Sequence, residues 1–111
     1  MILRVDNIFE KLSGLPGQED VLTLFKNQGV TIERIVSHSH SSPSGFWYDQ
    51  SGDEWVIVLR GRAVLEFESG ERIEIKDGSY LTIPSHVRHR VQQTDSETIW
   101  LAVHSKDIGG T

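Results

Sequence analysis

The chain contains no cysteine. That absence excludes disulfides, thiolate metal ligands and cysteine nucleophiles. Positive charge is also scarce. Lys and Arg number 11 against 16 Asp and Glu, a formal charge of -5. This balance argues against duplex nucleic acid and anionic membrane as partners. No apolar run approaches the roughly 20 residues a membrane helix needs. The opening residues, Met1-Ile2-Leu3-Arg4-Val5-Asp6, lack the basic region and long apolar stretch of a secretory signal. The expectation is a cytoplasmic protein whose partner is a small-molecule ligand or substrate. Phosphate-cradling glycine loops, nucleophile elbows and zinc-protease helix motifs are missing too. There is no internal repeat and no low-complexity tract.

What is present fits one domain of 111 residues. Two helical signals open it. Asp6 is placed to cap a turn holding Ile8, Phe9 and Leu12, with Gly14 as its end. Glu19 to Gln28 carries Val21, Leu22, Leu24 and Phe25 at helical spacing, with Gly29 as terminator. Residues 1–29 are therefore expected to form a helical cover. From Val30 the pattern changes to strands, expected at 30–38, 46–50, 54–60, 62–69, 71–76, 79–83, 87–93 and 97–104. Turn chemistry separates them, as in Gln50-Ser51-Gly52-Asp53, Gly61, Ser69-Gly70 and Asp77-Gly78. Short strands so evenly spaced, with no helix between, indicate an antiparallel sandwich or barrel over 30–105. Residues 106–111, with Gly109 and Gly110, read as a flexible tail. Strand 54–60 is apolar on both faces, with Val56 and Val58 on one and Trp55, Ile57 and Leu59 on the other. A strand buried on both faces needs outside cover, from the N-terminal segment or from a second copy, so a homodimer is expected.

One position on that strand carries chemistry. Glu54 shares its parity with Val56 and Val58, because side chains alternate faces along a strand. A carboxylate on an apolar wall needs a partner: a cation, a metal or a proton. His89, between Val87 and Val91 of its own parity, is the matching residue downstream.

These residues stand in a recognisable frame. Glu54 is followed after six residues by Gly61, and Gly78 after five by Pro84, with His89 five places further on. The two stretches resemble the signature motifs of the cupin superfamily. The first of those motifs runs histidine, any residue, histidine, three or four residues, glutamate, six residues, glycine. The second runs glycine, five residues, proline, any residue, glycine, two residues, histidine. The resemblance covers roughly Val30 to His104. It implies an all-β fold: a small RmlC-like jelly-roll barrel (a double-stranded β-helix), here with one or two short N-terminal helices. It also implies that Glu54 and His89 are ligands of a divalent metal ion, zinc, iron, manganese or nickel.

The first motif is degenerate. Counting back from Glu54 over four residues places Asp49 and Trp47 where the family has histidines, and His86 replaces the glycine of the second motif. The implied metal set is Asp49, Glu54 and His89, with His86 as a fourth ligand or as the catalytic acid or base. Trp47, Tyr48, His38, His40 and His104 are candidates for the substrate pocket. The pair His38-Ser39-His40 has the family spacing, but 13 residues separate His40 from Glu54, too many for the motif. The implied function is a metal-dependent enzyme on a small oxygen-bearing metabolite, of isomerase, lyase or dioxygenase type. The alternative is a non-catalytic metabolite-binding or sensing barrel. Plainer roles stand beside each residue. Glu54 can pair with Arg60, Arg62 or Arg88; His89 can be a core histidine on a backbone carbonyl; Asp49 can cap the 50–53 turn.

Overall fold

The computed structural model describes residues 1–106, and it is all-β. Eight strands follow one another: β1 (Glu19–Lys26), β2 (Val30–Ser37), β3 (Asp53–Arg60), β4 (Arg62–Phe67), β5 (Arg72–Lys76), β6 (Tyr80–Ile83), β7 (His89–Thr94) and β8 (Thr98–Ser105). They form a five-stranded sheet in the order β1-β2-β8-β3-β6 and a three-stranded sheet in the order β5-β4-β7. Every pairing is antiparallel. The two sheets face each other across one core. Val56, Val58, Ile83 and Trp100 come from the larger sheet, and Ala63, Leu65, Ile75 and Val91 from the smaller. The alternation expected on strand 54–60 holds: Glu54, Val56 and Val58 are buried, while Trp55, Ile57 and Leu59 on the outer face are half-buried.

The N-terminal helices are absent, and the reasons are local. Residues 7–10 make only a turn, closed by the Glu10 N–H on the Asn7 carbonyl (3.1 Å) and backed by the Phe9 N–H on Asn7 Oδ1 (2.8 Å). Lys11, at φ 55°, then turns the chain away. The second stretch pairs with β2 instead of coiling, with Glu19 opposite Ser37 and Lys26 opposite Thr31. Val21, Thr23 and Phe25 suit a strand as well as their neighbours suit a helix, and the free edge of β2 decides between them. The expected strand at 46–50 also shrinks, to a single bridge between Tyr48 and His89. Of the expected tail, Lys106 donates its N–H to the Gly29 carbonyl at 2.9 Å. Residues 107–111 lie outside the described residues.

The N-terminal segment is nevertheless tied down. Arg34 on β2 is buried, and its guanidinium donates to the carbonyls of Ile8 (3.3 Å), Glu10 (2.8 Å) and Lys11 (3.3 Å). Its Nε has no hydrogen-bond partner among the described residues. His38 Nε2 donates to the Ser13 carbonyl at 2.7 Å. Arg60 lies over the Phe9 ring, 4.7 Å from its centre. Residues 8–13 thus cover part of the outer face of the large sheet, the role expected of the helices.

Candidate functional site

Between the sheets lies a cavity of about 250 Å³. It falls near the small end of ligand pockets. Its walls differ in character. Val56, Leu65, Ile83, Val91 and Trp100 make an apolar side, and Glu19, Glu33, Glu54, His89 and His104 make a polar one. The polar groups arrive by strand alternation: Glu54 precedes Val56 on β3, His89 precedes Val91 on β7, and Glu33 precedes Ile35 on β2. β8 brings His104 directly opposite Glu54 in the ladder.

The acid and the imidazole converge. Glu54 Oε1 is 3.5 Å from His89 Nε2. The other oxygen, Oε2, is 3.8 Å from His104 Nε2, which also lies 3.0 Å from Glu33 Oε1. A chain of groups, Glu33, His104, Glu54 and His89, therefore lines the cavity. His89 Nδ1 is 2.9 Å from the Val87 carbonyl, which can only accept, so that nitrogen carries the proton. Nε2 then faces a carboxylate. In a neutral ring two lone pairs would oppose each other, whereas imidazolium gives a donor to Glu54. Burial alone pulls the His89 pKa down. The Glu54 contact, the Val87 bond and the Glu54 charge together outweigh it and hold the imidazole above its usual value. The Tyr48 ring stacks on His89 at 5.5 Å. Burial, and then the charges of Glu19 and Glu54, raise the Tyr48 phenol.

Other expected site residues fall elsewhere. Asp49 and His86 do not join Glu54 and His89. Both are exposed, and they pair with each other, Asp49 Oδ1 to His86 Nδ1 at 2.7 Å. The cause is a one-residue difference in parity. Tyr48 exchanges both backbone hydrogen bonds with His89, which turns Tyr48 and Gln50 into the cavity and Trp47 and Asp49 away from its lining. Counted over three residues instead of four, the first motif puts its histidine positions at Tyr48 and Gln50. His38 holds the N-terminal segment and is not part of the lining. His40 is also outside it; its Nε2 faces Glu19 Oε2 at 3.6 Å. Tyr48 and His104 line the cavity as expected.

Glu19, Glu33 and Gln50 are site residues that sequence reasoning missed. Glu33 shares strand parity with Ile35, the same signal that Glu54 gave. Arg34, between Ile32 and Val36, gives an equal signal for the opposite face, so alternation alone does not choose.

The donor set bears on a metal centre. The family positions here hold Tyr48, Gln50, Glu54 and His89: a phenol, an amide, a carboxylate and one imidazole. Phenol and amide are poor substitutes for two imidazoles toward a divalent ion. Among the described residues no three His, Asp or Glu side chains are arranged to hold a metal. The residues do not fit the metal centre implied by the resemblance.

Comparison with known proteins agrees with the architecture. The family Cupin_2, described as a cupin domain, matches residues 31–104. A crystal structure from Ralstonia eutropha JMP134, a proposed mannose-6-phosphate isomerase, is similar at 39% identity and a TM-score of 0.87, covering 94% of this chain and 99% of that one. An RmlC-like cupin with a double-stranded β-helix fold, from Methanocaldococcus jannaschii, gives a TM-score of 0.73 at 19% identity, over 96% of this chain and 93% of that one. A 3-hydroxyanthranilate 3,4-dioxygenase of Burkholderia cenocepacia is 32% identical over 68 residues. That match takes in 59% of this chain and spans only 38% of the dioxygenase.

Proposed function

Because the chain belongs to the cupin domain family, we propose that its interior cavity is a small-molecule site performing proton transfer. The reaction class is an isomerisation or elimination on a metabolite bearing carbonyl and hydroxyl oxygens. The observation that carries it is the buried pair of Glu54 and His89, 3.5 Å apart with Nδ1 committed to Val87, facing the same cavity. Glu54 is the base and takes a proton from carbon or oxygen of the substrate. Imidazolium His89 is the acid and gives its Nε2 proton to the substrate oxygen. In an elimination a proton passing from Glu54 to His89 restores the pair; in an isomerisation protonated Glu54 gives its proton to the neighbouring carbon and neutral His89 takes one from the other oxygen, which restores it. Such a pair is worth about 10²–10⁴-fold in rate. His104 and Glu33 position Glu54 from its other oxygen, and Tyr48 holds the His89 ring. His86, exposed and paired with Asp49, has no part in this scheme.

Names of relatives support a small-molecule site but differ in the reaction, and fold alone does not select one. The test therefore spans a range of compounds. Small aldoses, ketoses and keto alcohols are incubated with the protein in deuterated water containing EDTA, and exchange at the carbon next to the carbonyl is followed by NMR. Catalysed exchange is expected, slowed at least about 10²-fold in Glu54→Gln and in His89→Gln. A second reading, a binding barrel without catalysis, is favoured by Tyr48 and Gln50 at the family's histidine positions. It prevails if compounds bind and none exchanges. Exchange absent with EDTA but present in its absence with added zinc, iron, manganese or nickel would return the metal-dependent reading.

We also propose that the protein is a homodimer, because apolar side chains remain uncovered on the outer face and edge of the large sheet.

A further inference from the structure

The polar wall of the cavity has an uneven charge. Glu19, Glu33 and Glu54 all line it against a single imidazolium, His89, and neither Lys nor Arg does. The imidazoles facing these carboxylates satisfy them poorly. Among the described residues only Glu33 receives a contact of hydrogen-bond length, 3.0 Å from His104. Glu19 has His40 at 3.6 Å, and its carboxylate accepts no hydrogen bond among the described residues. Glu54 is the sharper case. It is only 9% exposed. Its oxygens have imidazole nitrogens no nearer than 3.5 and 3.8 Å. Charge-assisted bonds run to about 2.7–2.9 Å. A buried carboxylate therefore points into an open volume with incomplete partners. Burial raises the Glu19 pKa; His40 pulls the other way, and the charges of Glu33 and Glu54 add to the rise. The acids repel one another, and a cation placed among them would relieve that.

We propose that the ligand of this cavity is a small cationic metabolite, one carrying a protonated amine or guanidine, with its charged nitrogen among Glu19, Glu33 and Glu54. This rests on the cavity being the functional site. The N–H donors of such a group supply what Glu54 lacks, and its carbon frame lies against Val56, Val91 and Trp100. A phosphorylated or carboxylated metabolite meets like charge on the polar wall and a dry surface on the other. The ligand class thus differs from the sugar phosphate named for the Ralstonia relative.

The test uses one carbon frame with three charges: benzylammonium, benzyl alcohol and benzoate, with mannose 6-phosphate as the anionic sugar. EDTA is present throughout. Binding is read from the imidazole NMR signals of His89 and His104 and from the melting temperature. Benzylammonium is expected to bind at least about tenfold tighter than benzyl alcohol, a preference that falls below about threefold in Glu54→Gln and in Glu33→Gln. Benzoate and mannose 6-phosphate leave the signals unmoved. Glu19→Gln, on the edge strand, serves if the interior variants do not fold. Equal affinity for ammonium and alcohol, or binding of either anion, overturns the charge selection and leaves the cavity as the site. Silence with every probe also overturns it, and the exchange assay then judges the site separately. A response to zinc or manganese without EDTA, with none to benzylammonium, overturns it in favour of a metal ion.

Discussion

At the scale of single residues, the protonation of His89 is the feature with the clearest outward sign. Its folded pKa is raised above the unfolded value, so the folded state binds the extra proton more tightly. The stabilisation is complete below about pH 6.5, the unfolded value, and is lost as pH rises through the folded one. The melting temperature of the parent protein should therefore exceed that of His89→Gln most at about pH 5.5 and least at about pH 9. A gap independent of pH would mean that the ring titrates alike in the folded and unfolded chains, and a gap that widens as pH rises would mean that it is neutral in the fold. Glu54 and His89 were both legible from alternation, Glu54 leading Val56 and Val58 and His89 lying between Val87 and Val91. Asp49 was not. The motif allows two spacings, and only the backbone pairing of Tyr48 with His89 tells which residue faces inward. The acidic character of the site was hidden for a related reason. Glu33 and Arg34 are adjacent on one strand, Glu33 sharing its parity with Ile35 and Arg34 with Ile32 and Val36, and only the covering segment on the outside separates them.

At the scale of elements, the turns were more legible than the start of the chain. Gly61 joins β3 to β4 at φ +100°. Its N–H donates to Asp77 Oδ1 at 2.6 Å. A Cβ there would come within 2.6 Å of the Glu97 carbonyl oxygen and 2.9 Å of Thr98 Cα. Both are main-chain atoms of a packed region, so neither yields cheaply. Gly61→Ala should lose at least about 2 kcal/mol, seen as a lower urea midpoint. An unchanged midpoint would show that the β3–β4 link is freer than the contacts imply. Gly70→Ala, with φ +95° but nothing near its Cβ, isolates the backbone part of that cost. The strands from β2 to β8 were readable because turn residues punctuate them. β1 was not, because Val21, Leu22, Leu24 and Phe25 fit a helical stripe and an edge strand equally well. Its identity comes from the open side of β2, a tertiary fact.

At the scale of the whole molecule, the unpaired edge of β1 stands out. Val21, Leu22, Leu24 and Phe25 are 44–53% exposed there. An uncovered apolar edge invites pairing with another chain. Light scattering should give a dimer in solution, and Leu22→Glu with Leu24→Glu should shift it to monomer while the fold is kept. A monomeric parent protein would end the homodimer proposal. Trp55, Ile57 and Leu59, the residues that first suggested a second copy, are only half-buried within one chain and lie on the outer face of the same sheet.

Arg34 ties the beginning of the chain to all of this. A guanidinium shut away from water, with no ion-pair partner among the described residues, is kept soluble, in effect, by three peptide oxygens contributed from residues 8–11. That short strandless stretch is a solvent shell built from polypeptide. It is as much a part of β2 as the strands on either side.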